Sequence, residues 1–358
     1  MNTPVAAAFV RALAAALSLA TVLPATAAAA DPVEDFYRGK TITVVVSLGV
    51  GGNFDLTART LAKHMPRHLP GRPAMVVKNM PGGGHVLATN HMANQAARDG
   101  TVIALVNNSV ALHQVLDGRG ARYDARSFNW LGSAGLSNLM TVAWHTSGVR
   151  TIEDAMTREL VTGATGVGSG GFIYPNAMNV LLGTKFKIVL GYATTPQADL
   201  AMERGEIAAR AGFSLSSIMQ EHADWIREKK VALLVQVGAT AEPGFPQVPL
   251  MHDLAKTPQT RRILALISSP VALGRPFFTT ADVPVDRVAA LRRAFDATMR
   301  DEAFLAEARQ LNLDLRPTGA DAITAIVRET IDAPADLIAV AKSAMEAPPA
   351  PPERGKTE

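Results

Sequence analysis

Three glycine-rich loops constrain this chain more than any other feature. They are Gly49-Val50-Gly51-Gly52, Gly82-Gly83-Gly84 and Gly166-Val167-Gly168-Ser169-Gly170-Gly171. Each follows a strand-like run and precedes a helical pattern. Thr41–Val46 is a β-branched run that reads as a strand buried on both faces. After its loop, Phe54, Ala58, Leu61, Ala62 and Met65 fall on one helix face. Ala74–Val77 leads into the second loop, a helix from His85 to Ala97 follows it, and 101–106 makes a third strand. Strands alternating with helices across short connections require a mainly parallel sheet covered on its faces.

A second block repeats this grammar. Strands are expected at 139–144, 159–164, 186–190 and 231–237, with helices opening at Thr151, Phe172 and Gln197. The remainder is more helical. Val288, Leu291, Phe295 and Met299 form one apolar stripe entered through Asp282-Val283-Pro284. This region is expected to pack back on the first block. With 358 residues and 48 % hydrophobic content, the chain has material for roughly two packed domains.

The N-terminus is an Ala/Leu/Val run broken by Pro24 and followed by small residues, which fits a secretory signal over 1–30, with cleavage near Ala28 or Ala30. The run is short of the ~20 strongly apolar residues a membrane span needs. Cysteine is absent, which excludes disulfides, thiolate metal sites, cysteine nucleophiles and a lipid-bearing anchor. The Pro-rich segment 346–358 reads as an extended disordered tail. A net charge of +3, from 35 basic and 32 acidic residues spread along the chain, is too mild for a nucleic-acid protein.

Glycine at a strand-to-helix junction serves an ordinary turn or exposes backbone N–H groups to an anion at a helix N-terminus. The dinucleotide reading fails on one residue type. Gly166–Gly171 satisfies G-x-G-x-x-G, but the next strand ends at Leu190-Gly191-Tyr192 without the acid that holds a ribose. Neither a phosphate-loop lysine pattern nor G-x-S-x-G nor H-E-x-x-H is present, so a nucleotide-dependent enzyme is the weakest alternative. His64 and His68 have metal-pair spacing, but Pro66 lies between them and no acid follows, so they read as exposed histidines near a helix end. His85 sits where the second loop can aim it at the same place as the amides. Tyr174 and Tyr192 either flank a ligand or pack on helices. Arg210 closes a short apolar segment and either pairs with a ligand carboxylate or joins an ion pair. Asn107, at the end of the third strand, completes this set.

At this point the residues resemble a known family. Phe36–Thr43 leading to Gly51-Gly52-Asn53-Phe54-Asp55, the loop Asn79–Gly84, the turn Asp99-Gly100-Thr101, then Ala164–Ser169, Gly191-Tyr192, Asp199-Leu200, Arg204-Gly205-Glu206, Val248-Pro249-Leu250 and Arg275-Pro276-Phe277 are similar to signatures of the Bug receptors. These are the substrate-binding proteins of tripartite tricarboxylate transporters. The resemblance implies an α/β type II periplasmic binding protein fold, with two α/β lobes joined by hinge strands. Lobe 1 would comprise 31–138 plus 250–345, and lobe 2 would comprise 139–249. It implies a non-catalytic, cofactor-free periplasmic receptor that takes a small organic acid between its lobes. Its partners would be membrane permease subunits or, alternatively, a sensor kinase, and a monomer is expected. By matching position, the ligand would meet Gly49, Gly51, Gly52, Asn53, Gly82, Gly83, Gly84, Gly168, Ser169, Tyr192 and Thr194. The chain departs from the family's pattern at Ser47-Leu48, Met80, His85 and Ala208-Ala209, which leaves the acid's identity open.

Overall fold

The structure is a computed structural model that describes residues 31–82, 86–116, 118, 120–135, 138–164, 166, 169–192 and 195–346. The expected signal and all of the expected tail but Glu346 lie outside the described residues, as do Gly83, Gly84, His85, Gly168 and Thr194.

Two sheets organise the chain. The first has the order β11-β4-β10-β3-β1-β2. Its strands are β1 (Thr41–Val46), β2 (Ala74–Asn79), β3 (Val102–Leu105), β4 (Asn129–Ser133), β10 (Pro276–Thr279) and β11 (Thr318–Gly319). β1 runs parallel to β2 and β3, whereas β10 is antiparallel to β3 and β4. The second sheet has the order β7-β6-β8-β5-β9. It comprises β5 (Leu139–Trp144), β6 (Leu160–Ala164), β7 (Phe186–Leu190), β8 (Ala209–Ser214) and β9 (Val231–Val237). β1 is buried from Val44 to Val46, as a β-branched central strand requires.

The helices of the first half are α1 (Pro32–Tyr37), α2 (Asn53–His64), α3 (Val86–Asn94) and α4 (Val110–Leu116). Those packed on the second sheet are α5 (Ile152–Thr157), α6 (Gly170–Leu182), α7 (Thr195–Glu203), α8 (Leu215–Glu221) and α9 (Ala223–Arg227). Local chemistry sets their ends. Thr151 and Asp154 form a reciprocal capping box at α5, and Gly183, at φ 77°, ends α6 in the left-handed conformation. The C-terminal helices are α10 (Pro258–Leu273), α11 (Val285–Thr298), α12 (Glu302–Gln310), α13 (Ala320–Ile331) and α14 (Ala335–Met345).

The segment 250–345 divides between the lobes, contrary to its expected assignment to lobe 1. α11 buries Leu291 and Phe295 against Ile42, Val44 and Phe277 of the first sheet. α10 and α14 instead place Ile263, Ile267, Leu337 and Ala341 in one core with Leu160, Met178 and Leu182 of the second lobe. An apolar stripe tells which face a helix buries, but not against which sheet. β8 also differs from the sequence reading, which stopped at Arg210. The strand continues through small residues to Ser214.

The first sheet's β4 ends at Ser133 and the second sheet's β5 begins at Leu139, and the chain returns to the first sheet through Gly274-Arg275. The crossings are hydrogen-bonded to each other: Ala134 N–H donates to the Arg275 carbonyl at 3.1 Å, and Arg275 N–H donates to the Gly135 carbonyl at 3.0 Å. Gly274 has φ +61°, and a Cβ there would lie 2.0 Å from the Gly135 oxygen, so only glycine allows this approach. Nearby, the Arg316 guanidinium pairs with Glu242, joining the two lobes a second time.

Candidate ligand-binding site

A cavity of about 460 Å³ opens where the two lobes meet. The first lobe contributes Phe54 from α2 and the Asn107-Asn108-Ser109 turn after β3. The second contributes Gly170 and Tyr174 from α6 with Gly212 and Ser214 from β8. Gly135, Gly274 and Arg275 supply the hinge side, while Ile267, Pro270 and Val271 of α10 form part of its apolar wall.

Each wall has a local cause. The Asn107 side-chain oxygen accepts the Ser109 N–H at 2.9 Å, and Asn107 N–H donates to Ser47 Oγ at 2.9 Å, so the turn is held before any ligand arrives. On the other side, Ser169 is the N-cap of α6. The first N–H groups of a helix lack intrahelical acceptors and carry partial positive charge. Gly170 brings that turn to the cavity. Gly212, at φ +64°, makes the close approach possible, because a Cβ there would lie 2.4 Å from the Gly170 carbonyl carbon. Burial pushes the Tyr174 phenol well above its ordinary pKa, so it remains a neutral hydroxyl.

Arg275 is the charged side chain among the described residues that line the cavity. Its guanidinium donates through Nη2 to the main-chain carbonyl of Asp314, and the Asp314 carboxylate lies 3.4 Å from Arg316 Nη2. The Arg275 Nε is buried and has no hydrogen-bond partner among the described residues. Burial pulls its pKa down from the ordinary guanidinium value, and the charge of Asp314 opposes that pull. Guanidinium stays protonated in proteins, so a positive charge stands here without a hydrogen-bonded carboxylate. Residue-by-residue reading missed Arg275 as a site residue. The sole signal was its place in the Arg275-Pro276-Phe277 stretch.

Of the sequence-predicted residues, Asn107 lines the cavity and Ser169 adjoins it through Gly170. Ser169 Oγ donates to the Gly166 carbonyl at 2.7 Å and staples its own loop. The described members of the first two loops stand apart. Gly49, Gly51, Gly52 and Gly82 are exposed, and Asn53 begins α2 without lining the cavity. The Gly51 amide is occupied, donating to Asp55 Oδ2 at 2.9 Å. Although burial works against it, hydrogen bonds from Arg59, Gly51 and Asn79 hold the Asp55 carboxyl below its usual pKa. Tyr192 is half-buried away from the cavity and packs on Gly163, where a Cβ would lie 2.8 Å from the ring.

Arg210 does not line the cavity. It is 6 % exposed, pairs with Asp199 and lies with its guanidinium carbon 5.2 Å from the Phe213 ring centre. Burial lowers its pKa and raises that of Asp199, each opposed by the partner's charge. Of the two readings, the internal ion pair is therefore the one realised. His64 is also corrected: it is 3 % exposed, not a surface residue, with Nε2 2.6 Å from Glu307 Oε2. His68 Nε2 lies 2.9 Å from Asp301 Oδ2. These acids arrive from the α12 region, far away in sequence. Among the described residues no cluster of three metal-ligating side chains forms.

No family model matches the chain. It is 37 % identical to Protein BugT of Bordetella pertussis over 97 residues, 27 % of this chain and 29 % of that protein. The match thus spans less than a third of that relative's length. A TctC solute-binding protein from Polaromonas superposes with a TM-score of 0.66 at 18 % identity, covering 86 % of this chain and 99 % of that one. MatC from Rhodopseudomonas palustris, with bound malate, superposes with a TM-score of 0.55 at 19 % identity, covering 84 % and 99 %. The chain therefore has the two-lobed α/β fold of periplasmic binding proteins. Within that class, its fold is that of the Bug- and TctC-type solute-binding proteins.

Proposed function

We propose that this chain is an exported solute receptor of the Bug type. It takes a small organic carboxylate between its lobes and presents the closed form to the permease of a tripartite transporter. It carries out no chemistry on the ligand. Arg275 is the observation that carries this reading: a half-buried arginine at the interlobe cavity whose buried Nε–H has no partner among the described residues. A ligand carboxylate supplies the missing charge and acceptor, and the α6 N-terminus at the same cavity favours the same sign. The MatC structure, with its bound malate, supports the choice of ligand class. The leader pattern at 1–30 supports export, and no helix among the described residues is long and apolar enough to cross a membrane.

A thermal-shift screen of the chain from Asp31 onward against malate, citrate, adipate and benzoate tests this. At about 100 times its Kd, a ligand specific for the folded state adds about 2.7 kcal/mol. For a chain of this size that raises Tm by roughly 4 °C. If none of the acids moves Tm while an uncharged solute does, the carboxylate reading fails.

A further inference from the structure

A second cavity, of about 600 Å³, lies on the other side of α10 from the interlobe site. Its walls come from α10, α13, the start of α14 and the Gly238-Ala239 segment after β9. Leu266, Ala272, Ile326 and Leu337 make it predominantly apolar. Of the buried polar side chains in that lining, Ser268 and Thr330 bond within their own helices, whereas His252 and Ser269 do not. His252 and Ser269 are 9 % and 8 % exposed, and His252 Nδ1 and Ser269 Oγ have no hydrogen-bond partner among the described residues. The neighbouring Ser268 shows how a helix normally satisfies such a hydroxyl, donating to the Leu264 carbonyl at 2.8 Å. Ser269 makes no such bond. Buried polar groups in folded proteins are nearly always paired, so two orphans beside one cavity point to a partner that the chain does not supply.

The chemistry of that partner follows from the groups around it. His252 Nε2 lies 3.6 Å from Asp253 Oδ1, which favours the proton on Nε2 and leaves Nδ1 as an acceptor. Burial lowers the His252 pKa, so the ring stays neutral and calls for no anion. At the rim, Arg261 pairs with Asp253, and Asp332 lies 3.0 Å from Arg126. Arg262 and Glu329 are exposed and of opposite sign. The rim thus selects against neither charge and offers no strong site for one. The volume matches that of a small-molecule pocket.

We propose that the cavity behind α10 is a second ligand site, for an uncharged amphipathic molecule with an aromatic or branched aliphatic body and a hydroxyl or amide N–H donor. The donor meets His252 Nδ1, Ser269 serves as donor or acceptor, and the apolar body lies against Leu266 and Ile326. This site is separate from the carboxylate site and stands whether or not that reading holds.

The test uses benzamide and phenol as probes, titrated into the folded chain by calorimetry and by ligand-observed saturation-transfer NMR. Fragments of this size are expected to saturate with a Kd in the millimolar range or tighter. Ala265 is an exposed cavity-lining residue on α10, so Ala265→Trp blocks the mouth on the solvent side and should abolish probe binding while the circular dichroism spectrum is retained. Ser269→Ala, which removes one polar contact without adding volume, should weaken benzamide binding about three- to tenfold. No saturable binding of either probe up to about 10 mM, against a fragment's expected millimolar affinity, overturns the proposal. So does binding that Ala265→Trp leaves unchanged.

Discussion

Arg210 is buried and Arg275 is half-buried with a buried Nε, in two regions of one molecule, and their partners differ. Arg210 sits on β8 of the second sheet, bonded to the Asp199 carboxylate and lying against Phe213. Arg275 sits at the hinge, bonded to a main-chain carbonyl, with a second N–H lacking an acceptor and a cavity beside it. A buried guanidinium needs a counter-charge. One region supplies it from within the chain and is therefore structural. The other has no hydrogen-bonded carboxylate among the described residues, and the proposed ligand site is placed there for that reason.

The sharpest test of the structural half removes one partner. Asp199→Asn strands Arg210 in the core and should cost about 3–5 kcal/mol in chemical denaturation, the range for breaking one side of a buried ion pair. The double change Asp199→Leu with Arg210→Met should recover most of that loss, because a buried pair often replaces well with apolar side chains. If the double variant is as unstable as the single one, the pair is not the source of the cost.

The binding half is tested at Arg275. Arg275→Gln should weaken carboxylate binding by roughly 100-fold, since truncating one side of a desolvated charge pair costs about 2–5 kcal/mol. The apolar pair at 199 and 210 should leave the Kd of the folded fraction within about threefold, the scale expected of sites without shared partners. A smaller effect is expected at Gly135. A Cβ there would meet the Arg275 guanidinium and the Asp314 carbonyl, so Gly135→Ala must displace the side chain. About tenfold weaker binding is the expectation, the order of loss for a misplaced charge-assisted hydrogen bond. Unchanged affinity would separate the guanidinium's position from recognition.

Asp55 gives the smallest effect and concerns the first loop. Its folded pKa is depressed, so its stabilisation is present above the unfolded value near 3.9 and disappears as pH falls through the lower folded value. Asp55→Asn should lower stability by about 1–2 kcal/mol at pH 7. The gap from wild type should close as pH drops below about 4, readable as converging Tm values. A gap independent of pH would mean that carboxylate charge is not what ties Gly51 and Asn79 to α2.

The fold was legible where side chains carry the pattern. The β-branched runs at Thr41–Val46 and Val231–Val237 and the stripe from Val288 to Met299 are found as expected, with Val288, Leu291, Phe295 and Met299 all buried. The two lobes followed from that grammar. β8 was not legible beyond Arg210, because Ala-Arg-Ala-Gly-Phe-Ser lacks strand composition and its pairing with β5 shifts register between Met140 and Val142. In the site, glycine identified the α6 junction but could not show that the Gly51 amide is taken by Asp55 four residues on. Arg275 faces Gly135 across 140 positions of sequence, and no local spacing encodes that approach.

Calorimetric titration tests the central claim most directly. Whichever of malate, citrate, adipate and benzoate raises Tm most is titrated into the wild-type chain and into Arg275→Gln at equal folded concentration. The account predicts one saturable site in the wild type and a Kd weakened by roughly 100-fold in the variant. An Arg275→Gln chain that binds the same acid as tightly as the wild type would contradict it.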